Sequence, residues 1–195
     1  MVLNMANKYY NFYISSLTYD NIYNAYLLSK RCKTFRDDII RFNFKLELYL
    51  KDILIKLKNN NYRFSKYNIF YVYEPKERKI LAAPFRDRIV HTFLVVYHIE
   101  KIFAPTFIHN SYACLKNKGM HRCVKDVKKA LYNSKEDYYV LKMDIRKFFD
   151  SINRDILFNI IKKKVYDKEF LSIIKVLLDS NKEYDIVDNT GIPIR

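Results

Sequence analysis

The chain has 195 residues, half of them apolar, with 36 Lys and Arg against 21 Asp and Glu. That apolar share excludes a disordered tail, and the net charge of +15 favours a polyanionic partner, because neutralising phosphates releases bound counterions. A basic face can also lie on anionic lipid or bind nothing specific. The cysteines (Cys32, Cys114, Cys123) are odd in number, far apart and without a CxxC pair, which argues against a disulfide framework or a Cys-based zinc site. The N-terminal MVLNMANKYYNFY has no basic start followed by an apolar core, as a signal peptide would. No stretch reaches the ~20 apolar residues that span a bilayer. A cytoplasmic setting is expected.

Residues 1–19, rich in Asn and Tyr, show no period and read as a loosely held lead-in. Residues 20–32 read as a short helix capped by Asp20. Across 36–60, Ile39, Phe42, Leu46, Leu50, Ile53 and Leu57 recur at steps of three and four, as on one helix face, and the Asn run at 59–61 ends it. The aromatic and β-branched stretch 67–73 predicts a strand, 74–78 (EPKER) a turn, and KILAAP the return, a basic-tipped β-hairpin over 67–83. Helical period resumes over 86–103, with Ile89, Val90, Phe93, Leu94 and Tyr97 on one side, until Pro105 breaks it. Residues 111–119 (SYACLKNKG) read as a loop or irregular strand, and 120–133 as a helix. The apolar run YYVLKM at 138–143 predicts a buried strand ending at Asp144. Two helices follow: 153–165, with Ile156, Leu157, Ile160 and Ile161 on one face, and 167–179, with Phe170, Leu171, Ile174, Leu177 and Leu178. The tail from 183 predicts a strand and a turn. The only glycines are Gly119 and Gly191 and the only prolines Pro75, Pro84, Pro105 and Pro193; each stands at a boundary between periodic segments, where a backbone reason is expected.

Three constellations carry chemistry. In YYVLKMDIRKFFDSI a strand delivers Asp144 to a turn. A carboxylate there is costly unless it meets a cation or hydrogen-bond donors, and Mg²⁺ accepts one or two protein carboxylates while leaving its other positions to water and phosphates. An ordinary Asp capping the next turn is an equal reading of this segment alone. Phe149, five residues on, is in reach of a nucleotide's sugar, or else simply core; Asp150 reads as a turn or cap residue. In EPKERKILAAPFRDRIVH, Lys76, Arg78, Lys79, Arg86 and Arg88 crowd a short stretch and suit a triphosphate or template backbone; the plain alternative is a solvated turn with an internal pair such as Asp87 with Arg88. In SYACLKNKGMHRCVKDVKK, Lys116, Lys118, His121 and Arg122 surround a helix start at Gly119, which suits a backbone phosphate or is merely a basic turn. His91, His98, His109 and His121 have no metal-ligand spacing and read as core or surface residues.

Taken in order, these segments resemble the bacterial reverse transcriptases of the group II intron, retron and diversity-generating retroelement type. The segment YNIFYVYEPKERKILAAPFRDRIVH is similar to their fingers, FAPTFIHNSYACLKNKGMH to the Ser-Tyr-Ala-Cys…Gly-x-His segment that follows, YYVLKMDIRKFFDSI to the first palm motif, and GIPI at 191–194 to the start of the next. The resemblance runs from about residue 20 to the end. It implies an α+β right-hand polymerase fold: a fingers subdomain over 20–135 and an incomplete palm over 136–195. It also implies RNA-directed DNA synthesis from dNTPs on an RNA template and a DNA or RNA primer, with two Mg²⁺ ions. Carried onto this sequence, Asp144 is a metal ligand with the Ile145 carbonyl beside it, and Phe149 is the sugar gate. Arg78, with Lys76 or Lys79, meets the triphosphate, and Arg86 and Arg88 are structural or bind template.

There are departures. GIPIR stands where Gly-Ile-Pro-Ile-Gly-Asn is usual, Met120 stands where Thr is common, and neither the later Ala/Tyr-x-Asp-Asp motif nor a thumb is within these residues. A truncated, split or partial gene is expected, inactive alone and completed by a separate chain. The alternative is a non-catalytic RNA-binding relative, for example in phage defence.

Overall fold

In the computed structural model, which describes residues 8–73, 75, 77–133, 137–180, 182–184 and 189–193, the lead-in is firmly built. Tyr13 and Leu17, four apart, fall on one side of the short helix α1 (Tyr13–Ser16) and both are buried. Just before it, Tyr9 forms a parallel bridge with Val165, its amide donating to the Lys164 carbonyl at 3.0 Å and its carbonyl accepting from Tyr166 at 2.8 Å. The expected loose start is thus corrected over residues 9–17. Its aromatics, unreadable as a period, are spent on contacts distant in sequence.

Helix α2 (Tyr19–Lys30) is capped by Thr18, whose hydroxyl accepts from the Asn21 amide at 3.2 Å. Asp20 lies inside the first turn, where its charge faces the positive end of the helix, so the predicted cap shifts by two residues. The stripe over 36–60 is divided between α3 (Asp37–Asn43) and α4 (Leu46–Lys58), because Lys45 leaves helical geometry at φ −128° and ψ 36°. The break lets each half find its own partner: Ile39 and Phe42 are buried from α3, and Leu50, Ile53 and Leu57 from α4. The Asn run does end α4, with Asn60 at φ +51°.

The hairpin forms as expected. Strands β1 (Asn68–Val72) and β2 (Arg78–Ala82) pair antiparallel, Asn68 opposite Ala82 and Val72 opposite Arg78. A lone two-stranded ribbon is marginal in water, and this one is anchored at its root. Tyr67 is buried, its hydroxyl 3.2 Å from the Ser180 hydroxyl, and its amide donates to the Tyr184 hydroxyl at 3.3 Å.

Helix α5 (Phe85–Leu94) buries Ile89, Val90, Phe93 and Leu94, then runs through a wide π turn at Val95–Ile99 into α6 (Glu100–Phe103) and a 3-10 turn holding Pro105. The π turn sets His98 against Phe12, Tyr13, Phe93 and Phe170, with ring centroids 5.1–5.7 Å apart, and within 3.1 Å of the Ser16 hydroxyl. Further on, α9 (Arg154–Lys162) is capped by Asn153 and α10 (Lys168–Asp179) by Asp167. The buried Asp167 also accepts from the Tyr13 amide at 2.9 Å, tying the lead-in to α10. One core therefore joins α1–α6 to α9 and α10.

Between those two sets lies a different kind of structure. Residues 111–119 are a loop in which Cys114, Asn117 and Gly119 take φ values of +55°, +62° and +109°, which excludes the irregular strand. Helix α7 (Met120–Asn133) forms as predicted but buries no residue. The predicted buried strand at 138–143 is corrected: the segment has no regular structure, pairs with no strand among the described residues and is exposed, Tyr139 completely so. A strand needs a neighbour for its amides and carbonyls, and the hairpin is the one sheet among the described residues. After Asp144, Lys147 turns the chain at φ +49° into α8 (Phe148–Ser151).

The face expected of α9 is corrected in part. Ile161 is buried and Leu157 half-buried, but Ile156 and Ile160 face solvent, and Arg154 takes the inward position. No described helix is long and apolar enough to cross a membrane. The cysteines are free thiols.

Candidate nucleotide and nucleic-acid site

The structure gathers one part of the sequence-derived site through backbone bonds. Residues 189–192 fold back on the segment after Asp144. The Gly191 amide donates to the Ile152 carbonyl at 2.9 Å, and the Ile192 amide to the Phe149 carbonyl at 3.0 Å. Gly191 sits at φ +92°, a conformation that L side chains rarely adopt, and a Cβ there would lie 3.7 Å from the Asp150 carbonyl oxygen. Of the strand and turn expected of the tail, the turn falls at 189 and Thr190 makes an isolated antiparallel bridge to Asn153; residues 185–188, 194 and 195 lie outside the described residues.

Asp144 is exposed, and no hydrogen bond or ion pair holds it among the described residues. Ile145 and Phe149 are exposed as well, the Phe149 ring 5.5 Å from that of Phe148. The predicted capping alternative for Asp144 is not used: α8 has no side-chain cap. A carboxylate open to water with a carbonyl next to it suits one ligand position of Mg²⁺, whose other positions go to water and phosphate oxygens. Asp144 and the Ile145 carbonyl would be the groups to hold it. Among the described residues no three His, Cys, Asp or Glu side chains form a metal-binding group, so a two-ion site needs carboxylates besides these.

On the hairpin, Arg78 and Lys79 are exposed on successive positions of β2, and no ion pair engages them among the described residues. Lys76 lies outside the described residues. The hairpin root and the folded-back segment meet across an apolar cavity of about 500 Å³, with Tyr67, Leu81 and Ala83 on one side and Leu157, Ile192 and Pro193 on the other.

Arg86 and Arg88 are occupied within the protein. Arg86 pairs with Asp52 and lies 5.8 Å from the centre of the Tyr62 ring. Arg88, with 13% of its side chain exposed, donates to Asp38 at 2.6 Å. Asp87 is not the partner of Arg88, because adjacent residues on a helix point about 100° apart. It is buried instead, accepting from the Tyr62 hydroxyl at 2.6 Å and the Ser65 amide at 2.8 Å. Burial, and next the Asp87 charge, push the Tyr62 hydroxyl pKa well above its ordinary value.

Around Gly119, three of the four expected cations come together. Lys116, Lys118 and Arg122 line a recess of about 240 Å³ with His109, Tyr112 and Asp126, whereas His121 is exposed on α7 and does not line it. Asp126, not singled out from the sequence, organises the loop by accepting from Arg122 at 3.0 Å and from the Tyr112 hydroxyl at 3.0 Å. Those hydrogen bonds, Arg122 first, hold its carboxyl below the usual range. Its four-residue spacing from Arg122 was the available signal. His98 is buried, His91 half-buried, and His109 and His121 exposed.

No family model matches the chain. Among curated proteins it is similar to one described as "Putative COX1/OXI3 intron 1 protein" of Saccharomyces cerevisiae, 23% identical over 133 residues, which is 67% of this chain and 16% of that protein. The chain thus spans about a sixth of the relative it matches.

Proposed function

We propose that this chain is the fingers and first palm segment of an RNA-directed DNA polymerase of the reverse-transcriptase kind, whose remaining catalytic carboxylates are supplied from outside these residues. The observation that carries this reading is the contact between two motifs far apart in sequence: the Gly-Ile-Pro turn at 191–193 hydrogen-bonds to the Phe149–Ile152 segment beside Asp144. Similarity to an intron-encoded protein supports it, as does the +15 charge. In this reading Asp144 and the Ile145 carbonyl are ligands of Mg²⁺, which when bound polarises the triphosphate and the attacking hydroxyl. The exposed Arg78 and Lys79 neutralise the triphosphate. Phe149 presents its ring to the sugar and disfavours a 2′-hydroxyl. Lys116, Lys118 and Arg122 bind backbone phosphate. The internal ion pairs of Arg86 and Arg88 favour a structural role for both.

The test is complementation. Residues 1–195 are mixed with a polypeptide carrying a Tyr/Ala-x-Asp-Asp motif and thumb, and dNTP incorporation on an RNA template is followed with Mg²⁺. Synthesis that requires both chains and is lost in Asp144→Asn is the expected result. Salt-sensitive RNA binding without synthesis under any complementation would replace this reading with a non-catalytic RNA-binding module. Synthesis by 1–195 alone would overturn the need for carboxylates beyond these residues.

A further inference from the structure

Arg154 is fully buried, with 0% of its surface exposed, on the face of α9 whose other inward residues are Leu157, Phe158 and Ile161. Packing alone would be served by an aliphatic residue there, and burying a guanidinium is costly unless acceptors surround it. Among the described residues the acceptors are backbone carbonyls. One terminal nitrogen of Arg154 donates to the Thr190 and Gly191 carbonyls, each at 3.2 Å, and its amide donates to the Asn189 carbonyl at 3.2 Å. Thr190 also bridges to Asn153, and the Asn189 side chain bonds to Asp155, which Lys175 holds at 2.9 Å. Every residue from 189 to 192 is therefore tied to the stretch 149–155.

Among the described residues, the part of that stretch before α9 has little else to hold it. Residues 138–151 are exposed throughout, and α8 is a single helical turn. Among the described residues, the long-range backbone hydrogen bonds reaching 148–152 are those from Gly191 and Ile192. The position of Phe149 relative to Asp144 thus depends on the strap 189–192, and the strap depends on Arg154.

We propose that Arg154 is a positioning residue: by clamping the strap it fixes the Phe149 turn, and so sets how strongly the site discriminates between deoxyribose and ribose. The clamp is independent of the polymerase reading; the sugar selection rests on it.

The chain is compared with Arg154→Met, which keeps the aliphatic stem without the donors, Arg154→Lys, and Gly191→Ala, which strains the strap itself at φ +92° and leaves the buried core residues unchanged. Amide hydrogen exchange over 145–153 is expected to quicken about tenfold or more in Arg154→Met and Gly191→Ala and less in Arg154→Lys, with α4 and α5 still protected. Unchanged exchange in both Arg154→Met and Gly191→Ala overturns the clamp. If Arg154→Met also deprotects α4 and α5, Gly191→Ala decides. In the complemented polymerase the preference for dNTP over rNTP, taken as a ratio of kcat/KM, is expected to fall about tenfold in Gly191→Ala and to be partly kept in Arg154→Lys. Quickened exchange with an unchanged ratio overturns the role in sugar selection. Absence of synthesis by the wild type with every complement overturns the polymerase reading and that role together, while the exchange result still decides the clamp.

Discussion

The helical body and the stretch from the 111–119 loop to α8 are made from similar residues and treat them in opposite ways. In the body, Ile22, Ile39, Leu50, Ile53, Ile89, Val90 and Phe93 have no exposed surface. In the second region Val124, Val127, Leu131, Val140, Leu141, Met143 and Ile145 are all exposed. Apolar content therefore does not by itself make a core. The body has helices whose stripes find one another, whereas α7 and 138–145 offer an apolar face and an unpaired backbone that nothing described here covers. A region of that kind contributes little to the stability of the fold and is free to serve a site.

This contrast can be broken first at Phe170, buried where α10 meets Phe12, Tyr13 and His98. Phe170→Ala is expected to cost about 3–5 kcal/mol in denaturant unfolding; a cost near that of a surface change would mean the rings are not the keystone of the body. His98 comes next. Burial, then the Lys101 charge, lower its pKa from 6.5 to about 4. The folded state therefore favours the neutral ring, and this contribution is complete above about pH 6.5. It is lost as pH falls from there to about 4, amounting to roughly 3 kcal/mol in all. Unfolding measured against pH should show wild type losing that much relative to His98→Gln across the window, and parallel curves would remove His98 as the cause. Third, Thr18→Ala should cost about 1 kcal/mol as a lost cap, with Asp20→Ala costing only a few tenths; the reverse order would restore Asp20 as the cap. Smallest is Leu131→Ala in α7, expected within about 0.5 kcal/mol of wild type in thermal unfolding. A larger loss would show that α7 has a buried partner.

The same contrast explains what could be read from the sequence. Ile39 to Leu57 gave their helical face correctly because local periodicity records which side is covered. The hairpin was legible for a similar reason: Pro75 and the charged tip punctuate two β-prone runs. Misreadings arose where the covering group comes from far away in sequence. Tyr9 and Tyr13 looked unpatterned because their partners are Val165 and Asp167. Arg154 carries no mark in the local pattern of α9, yet it donates to the carbonyls of residues 190 and 191. At the candidate site, Asp144, Phe149 and Gly191 could be named from motif order. That Gly191 bonds to the turn carrying Phe149 could not, since backbone bonds between distant segments leave little trace in residue type.

The π turn at Val95–Ile99 makes the long helix from Phe85 a counted device. It carries a widened turn between Leu94 and Glu100, and with about 100° of rotation per residue that widening sets the angular phase of everything after it. Closing it to an ordinary α-turn at the same length would carry Ile102 about 100° off the core face, whereas deleting one residue from 95–99 would close the ladder and leave Ile102 inward. Replacing a residue in this turn alters a side chain; adding one alters the heading of the chain. A single-residue deletion here should therefore be better tolerated than a single-residue insertion.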